Sequence, residues 1–155
     1  MGKYLKKKLS VLTKSDWKNA REAAGFDATL FGGPAVGSKV EAFQKAIGAI
    51  NFSKIETETD IKGLKTAVKA TKELEAALRA YAEKAKKDAD KGKNKNGLEF
   101  SQECLEYADN AHKRLGKLEP QLKKLLKLWD ELTDGEAKRK ALKQVGADFG
   151  VGFDF

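Results

Sequence analysis

The sequence has little of what most catalytic chemistry needs. Its 155 residues include one cysteine, Cys104, and one histidine, His112. A lone cysteine excludes an intrachain disulfide. The two side chains lie in one helical stretch, about 12 Å apart along the axis at 1.5 Å per residue, and their directions differ by about 80°. A nucleophile and its base must approach to roughly 3 Å, so this pair is excluded within one molecule. Cys104 falls on an apolar stripe and is read as a small buried hydrophobe, and His112 falls off that stripe and is read as a surface residue. Asp109 and His112 have the i, i+3 spacing of a helical metal pair. A di-metal bundle, however, needs two Glu-x-x-His motifs and further glutamates, and there is only one histidine. The stretch GGPAVGSK imitates a phosphate loop, but its lysine follows the serine and no strand precedes it. No catalytic residue, metal or cofactor is expected, and the chain is read as a nonenzyme.

Other absences bound the fold. There are two prolines, and valine and isoleucine are sparse beside Ala, Leu, Lys and Glu, which disfavours a sheet. No apolar run approaches the roughly 18 residues of a membrane span. The opening MGKYLKKKLSVLTKSDW is basic like the start of a secretion signal, but its apolar stretch is only Leu9–Leu12, broken by Ser10. A signal needs about 7–15 apolar residues there. Lys6 stands where a myristoylation pattern requires Ser or Thr. A cytoplasmic location is therefore expected.

What is present is charge and helix-forming residues. Charged residues make up 35% and hydrophobic ones 41%, enough of each for a soluble helical domain rather than a disordered chain. The net charge is +8, which favours anionic partners in general without choosing among them.

Apolar positions recur at steps of three and four along most of the chain, the period of amphipathic helices. Leu5, Leu9 and Leu12 predict a first basic helix over 4–12, whose apolar area is too small for a membrane surface, so it is expected to pack on the bundle. Ser15 predicts the cap of a short helix through Trp17 and Ala20, stopping at Gly25. The stretch FDATLFGGPAVGS reads as a loop, and Ser38 as the cap of a helix carrying Val40, Phe43, Ala46, Ile47 and Ile50. Thr59 or Asp60 should cap a long helix to about Asp90 with the stripe Ile61, Leu64, Val68, Thr71, Leu74, Leu78, Tyr81 and Ala85. DADKGKNKNG lacks large apolar side chains and reads as a solvated turn. A second long helix follows from about Leu98 to Leu132, with the stripe Phe100, Cys104, Ala108, Ala111, Leu115, Leu118, Leu122, Leu125, Trp129 and Leu132. Its rhythm does not slip across Pro120, which predicts one kinked helix. Asp134 should cap a last short helix ending near Val145, with Gly146 as its stop.

The expected fold is therefore all-α, a helical bundle built on a long antiparallel two-helix hairpin. Shorter N-terminal helices pack against it, and residues 1–145 form the bundle while 146–155 form an irregular Gly/Phe tail. In that tail, GADFGVGFDF, an extended chain would point Phe149, Val151, Phe153 and Phe155 to one side. They would either fold back and seal the core or dock on a partner protein by strand addition or by filling its pockets. With the hairpin turn near residue 93, Lys62, Lys65, Lys69 and Lys72 come to the same end as Lys117, Lys123, Lys124 and Lys127. Glu56, Glu58, Asp60, Asp130 and Glu131 should offset part of this field. The expected function is a noncatalytic protein-interaction or structural module, such as an assembly subunit, adaptor or cargo, acting through helical surfaces and its tail. The alternative is nonspecific binding of nucleic acid by the lysine-rich end.

Overall fold

The computed structural model describes residues 2–26, 35–132 and 134–155. The described helices are α1 (Lys14–Ala23), α2 (Ala35–Gly48), α3 (Glu58–Gly92), α4 (Lys95–Glu131) and α5 (Gly135–Gly152), and no strand occurs among the described residues.

The hairpin of α3 and α4 dominates, because these two helices share the most extensive packing in the chain. Each is just over about 50 Å long at 1.5 Å per residue. They run antiparallel in the expected register: Glu75 faces His112 at 2.8 Å and Glu58 faces Trp129 at 3.2 Å, each pair equidistant from the turn. The stripes read from the sequence form the interface. Leu64, Leu74 and Leu78 on α3, and Phe100, Cys104, Ala108 and Ala111 on α4, are fully out of solvent. Buried alanines, among them Ala82, Ala85 and Ala89, let the helices approach closely. Two hydroxyls inside the hairpin find backbone acceptors, as buried polar groups generally do. The Thr71 hydroxyl donates to the Ala67 carbonyl and the Ser101 hydroxyl crosses to the Ala82 carbonyl, both at 2.7 Å.

The turn is far shorter than the hydrophilic stretch DADKGKNKNG predicts, because only Lys93 and Asn94 lie outside the helices. Lys93 takes the left-handed conformation at φ 51°. Asn94 then serves both ends of the turn. Its N–H donates to the Ala89 carbonyl at 2.8 Å, its side-chain oxygen accepts from the Gly97 N–H at 3.1 Å, and its amide donates to the Ala24 carbonyl at 2.9 Å. Two residues thus satisfy the helix ends that a longer loop would otherwise serve.

Pro120 sits inside a continuous α4. Its missing N–H orphans the carbonyl four residues back, at Gly116. Both residues are exposed and a Cβ at Gly116 would meet nothing within 4 Å, so water can serve that carbonyl.

The N-terminal segment departs from expectation. Residues 4–12 are not helical, yet Leu5, Leu9 and Leu12 are buried as the spacing suggests. The segment is a strap with a single turn of its own, from the Val11 N–H to the Lys8 carbonyl at 3.1 Å, and side chains of neighbouring helices hold much of its backbone. The Glu103 carboxylate accepts the N–H of Tyr4 at 3.0 Å and of Leu5 at 2.8 Å. The Tyr107 hydroxyl donates to the carbonyls of Leu5 and Lys7. The Gln44 amide donates to the carbonyls of Leu9 and Leu12. Gly2 lies directly on Glu103, where any Cβ would collide with the carboxylate. Burial, and to a lesser degree the nearby Glu103 charge, pushes the Tyr107 hydroxyl up to about 12.

The caps differ from expectation by two or three residues. Thr13, not Ser15, caps α1 in a capping box with Asp16. Thr57 caps α3, and the Asp60 carboxylate accepts the N–H of Glu56 at 2.8 Å and of Thr57 at 2.9 Å, which holds its pKa below the usual range. Gly25 ends α1 at φ 86°, as read. Helix α2 begins at Ala35, so Ser38 is internal and caps nothing. The central part of the expected loop, 27–34, lies outside the described residues.

The largest difference is at the C-terminal end. Asp134 does cap α5, its side chain accepting the Glu136 N–H. The helix does not stop at Gly146, however, and continues to Gly152. Gly146 marks close approach rather than termination: a Cβ there would lie 2.8 Å from the Phe52 carbonyl oxygen. Helix α5 runs back along α4, with Gly152 against Leu118 and Lys138 over the Trp129 ring at 4.6 Å.

Two aromatic clusters fill the core. Phe100 gathers Tyr4, Trp17, Phe26 and Tyr81 within ring distances of 5.3–6.2 Å. Phe153 gathers Phe43, Phe52 and Phe149 within 5.5–6.2 Å, and Phe155 stacks on Phe43 at 5.5 Å.

Candidate functional site

The sequence offered two surfaces, the tail and the lysine-rich end, and the structure treats them oppositely. In the tail, Phe149 is 0% exposed, Phe153 1% and Phe155 5%, whereas Val151 is 72% exposed. The helix replaces period two with period 3.6, so Phe149 and Phe153 share the inner face and Val151 turns outward. Phe155, beyond the helix, is fixed by the Ser10 N–H, which donates to its carbonyl oxygen at 2.8 Å, and by the Arg114 guanidinium 5.6 Å from its ring centroid. Three of the four tail side chains are therefore buried within the chain. The sequence did carry a signal for this. Leu142, Gly146, Phe149 and Phe153 step by four, three and four, a helical rhythm that the glycines concealed.

All eight lysines of the other set, Lys62, Lys65, Lys69, Lys72, Lys117, Lys123, Lys124 and Lys127, are exposed. Lys72 pairs with Glu119 across the hairpin. Among the described residues the other seven form no ion pair. Lys62, Lys65, Lys69 and Lys72 step by three and four and so share one face of α3. A shallow groove of about 670 Å³ runs between the helices, lined by Lys72 and Glu75 of α3 and by α4 residues from His112 to Lys123, Glu119 among them. One lysine of each helix thus reaches this groove, and the others lie elsewhere on the exposed sides of α3 and α4. Lys113, also exposed and unpaired, extends the α4 row toward the middle of the helix.

Glu56, Glu58, Asp60, Asp130 and Glu131 offset part of this charge without forming ion pairs with the lysines. Asp60 is committed to the α3 cap, and Glu58 accepts the Trp129 indole N–H. Glu56, Asp130 and Glu131 are exposed and pair with none of the lysines. Nearer the turn the same face is neutralised. Arg79 donates to Glu75 at 3.1 Å and to Asp109 at 3.0 Å, and these carboxylates raise the guanidinium pKa. Sequence reasoning missed the further cations of α5, where Arg139, Lys140 and Lys143 are exposed at the same end of the hairpin. They become visible only once α5 is known to fold back along α4.

Cys104 and His112 lie apart. Cys104 is buried, and loss of solvation pushes its thiol well above its ordinary pKa, so it carries little of the nucleophilic thiolate. His112 is exposed, with Nδ1 2.8 Å from Glu75. Among the described residues no group of three or more His, Cys, Asp or Glu side chains is placed to hold a metal ion, and no helix is long and apolar enough to cross a membrane.

Compared with protein-family models, curated proteins and solved structures, the chain matches none of them.

Proposed function

We propose that this chain is a noncatalytic interaction module that engages an anionic macromolecule through the lysine-bearing surface of its hairpin. The observation that carries this reading is the contrast in exposure. Eight lysines stand in solvent at one end, seven of them unpaired among the described residues, while the phenylalanines of the tail are spent on the core. Lysines without ion-pair partners on two neighbouring helices repel one another, and a multivalent anion relieves that repulsion. The alternative surface, the tail, leaves Val151 as its one exposed large apolar side chain, too little to anchor a partner.

Retention on a heparin column tests the reading. Replacing Lys65, Lys69 and Lys124 by alanine should lower the salt needed for elution more than replacing Lys84, Lys86 and Lys91, three exposed lysines near the turn. Equal losses in the two variants would refute it.

A further inference from the structure

The same face says something about the kind of anion it suits. A protein partner is held mainly by an apolar centre, with aromatic or aliphatic side chains entering pockets and charges confined to the rim. The face formed by α3 and α4 lacks such a centre. The exposed large hydrophobic residues among those described are Val11, on the strap, and Val151, on the tail-proximal turn of α5, and neither lies here. The groove between the helices is lined by Leu115, Gly116 and Pro120 together with Glu75, His112 and Glu119, of which Glu119 pairs with Lys72 and Glu75 with Arg79. Single-stranded nucleic acid needs exposed aromatic platforms for its bases. Trp129, the aromatic nearest this end, is half-buried and covered by Lys138. A membrane surface would reward inserted apolar side chains, and this face offers none.

A duplex asks for none of these things. Its phosphates present about one charge per 1.7 Å of axis and are held by lysines as point charges, without apolar contact. The α4 row from Lys113 to Lys127 extends about 21 Å at 1.5 Å per residue, a length over which a duplex displays about twelve charges. The α3 row from Lys62 to Lys72 runs beside it for about 15 Å. The rows contain no arginine, and bidentate reading of guanine edges depends mostly on arginine. The contact would be to the backbone.

We propose that the α3–α4 face, through Lys62, Lys65, Lys69, Lys117, Lys124 and Lys127, binds the phosphate backbone of a nucleic-acid duplex without sequence preference. This rests on the reading of the chain as an anion-binding module, and narrows it to one class of partner.

The test uses the full chain and fluorescence anisotropy of a labelled mixed-sequence duplex across a salt series, with polyglutamate of matched charge as a second probe. The triple variant Lys65→Glu, Lys69→Glu, Lys124→Glu is compared with Lys84→Glu, Lys86→Glu, Lys91→Glu. The two carry the same change in net charge, and circular dichroism confirms that both remain helical. The expected result is duplex binding that weakens with salt, a loss of about tenfold or more in the face variant with the salt slope reduced by about three, and a change of less than about twofold in the turn variant. Equal weakening of both variants would mean that net charge alone attracts the duplex, and would overturn the inference. Binding of polyglutamate without binding of duplex would overturn the inference while leaving the anion-binding reading standing. Binding of neither probe at low salt would overturn both.

Discussion

The C-terminal helix turns a question about the tail into a measurable difference between two neighbouring residues. An extended tail would place Phe149 and Val151 on the same side, whereas the helix separates them, leaving Phe149 fully buried and Val151 72% exposed. Phe149→Ala removes a ring packed against Phe153 at a centroid distance of 5.5 Å. Its burial is worth about 1.5–3 kcal/mol by transfer, the edge-on ring contact adds about 0.5–1.5 kcal/mol, and the cavity left behind adds more. The expected cost is about 3–5 kcal/mol, or a fall in melting temperature of roughly 6–20 °C for a domain of this size. Val151→Ala should change stability by less than about 0.5 kcal/mol. Urea unfolding followed by far-ultraviolet circular dichroism, with tryptophan fluorescence as a second probe, measures both. If the two substitutions cost the same, or Phe149→Ala costs less than about 1 kcal/mol, the packed helical tail is refuted.

Other consequences are equally direct. Gly146→Ala should destabilise by about 1–3 kcal/mol, because the added Cβ meets the Phe52 carbonyl at 2.8 Å. Gly116→Ala, in open space within α4, should stabilise by about 0.5–1 kcal/mol; thermal melts that shift both variants the same way would contradict the packing described. Glu103→Gln weakens two charge-assisted hydrogen bonds to the strap and should cost about 1–3 kcal/mol, with hydrogen exchange accelerating at Tyr4 and Leu5 before the core amides. Backbone N–H groups depress the pKa of Asp60 in the folded chain, so its ionised form contributes stability above the unfolded value of about 3.9. That contribution is lost as pH falls through the lower folded value. Denaturation midpoints should therefore fall on acidification below about pH 4, and Asp60→Asn should be less stable at neutral pH and respond less to acid in that window.

The hairpin was legible because its information is local and periodic. Eight stripe positions before the polar turn and ten after it, at steps of three and four, specify two long helices and, through their nearly equal lengths, the register that sets Glu75 opposite His112. The location of the lysines at one end follows from that register and needs no further contact. The caps were nearly legible, but an aspartate serves two geometries: Asp60 and Asp16 are third residues of capping boxes rather than caps themselves.

What sequence alone left undecided lies where one residue type admits opposite physical roles. A glycine after an apolar run is a stop when the chain must turn left-handed, as at Gly25, and a contact when another backbone presses on it, as at Gly146. Only the position of Phe52 distinguishes the two. Leucines at helical spacing describe a buried face, and Leu5, Leu9 and Leu12 are buried, but the conformation of residues 4–12 was decided by Glu103, Tyr107 and Gln44, which claim backbone groups that a helix would have used. Those partners lie between 32 and 102 residues away along the chain. Composition and period determined the helices and the charge of this protein. Long-range backbone capture and the close approach of α5 decided that the strap and the tail phenylalanines are buried, while the lysines of the hairpin stay exposed.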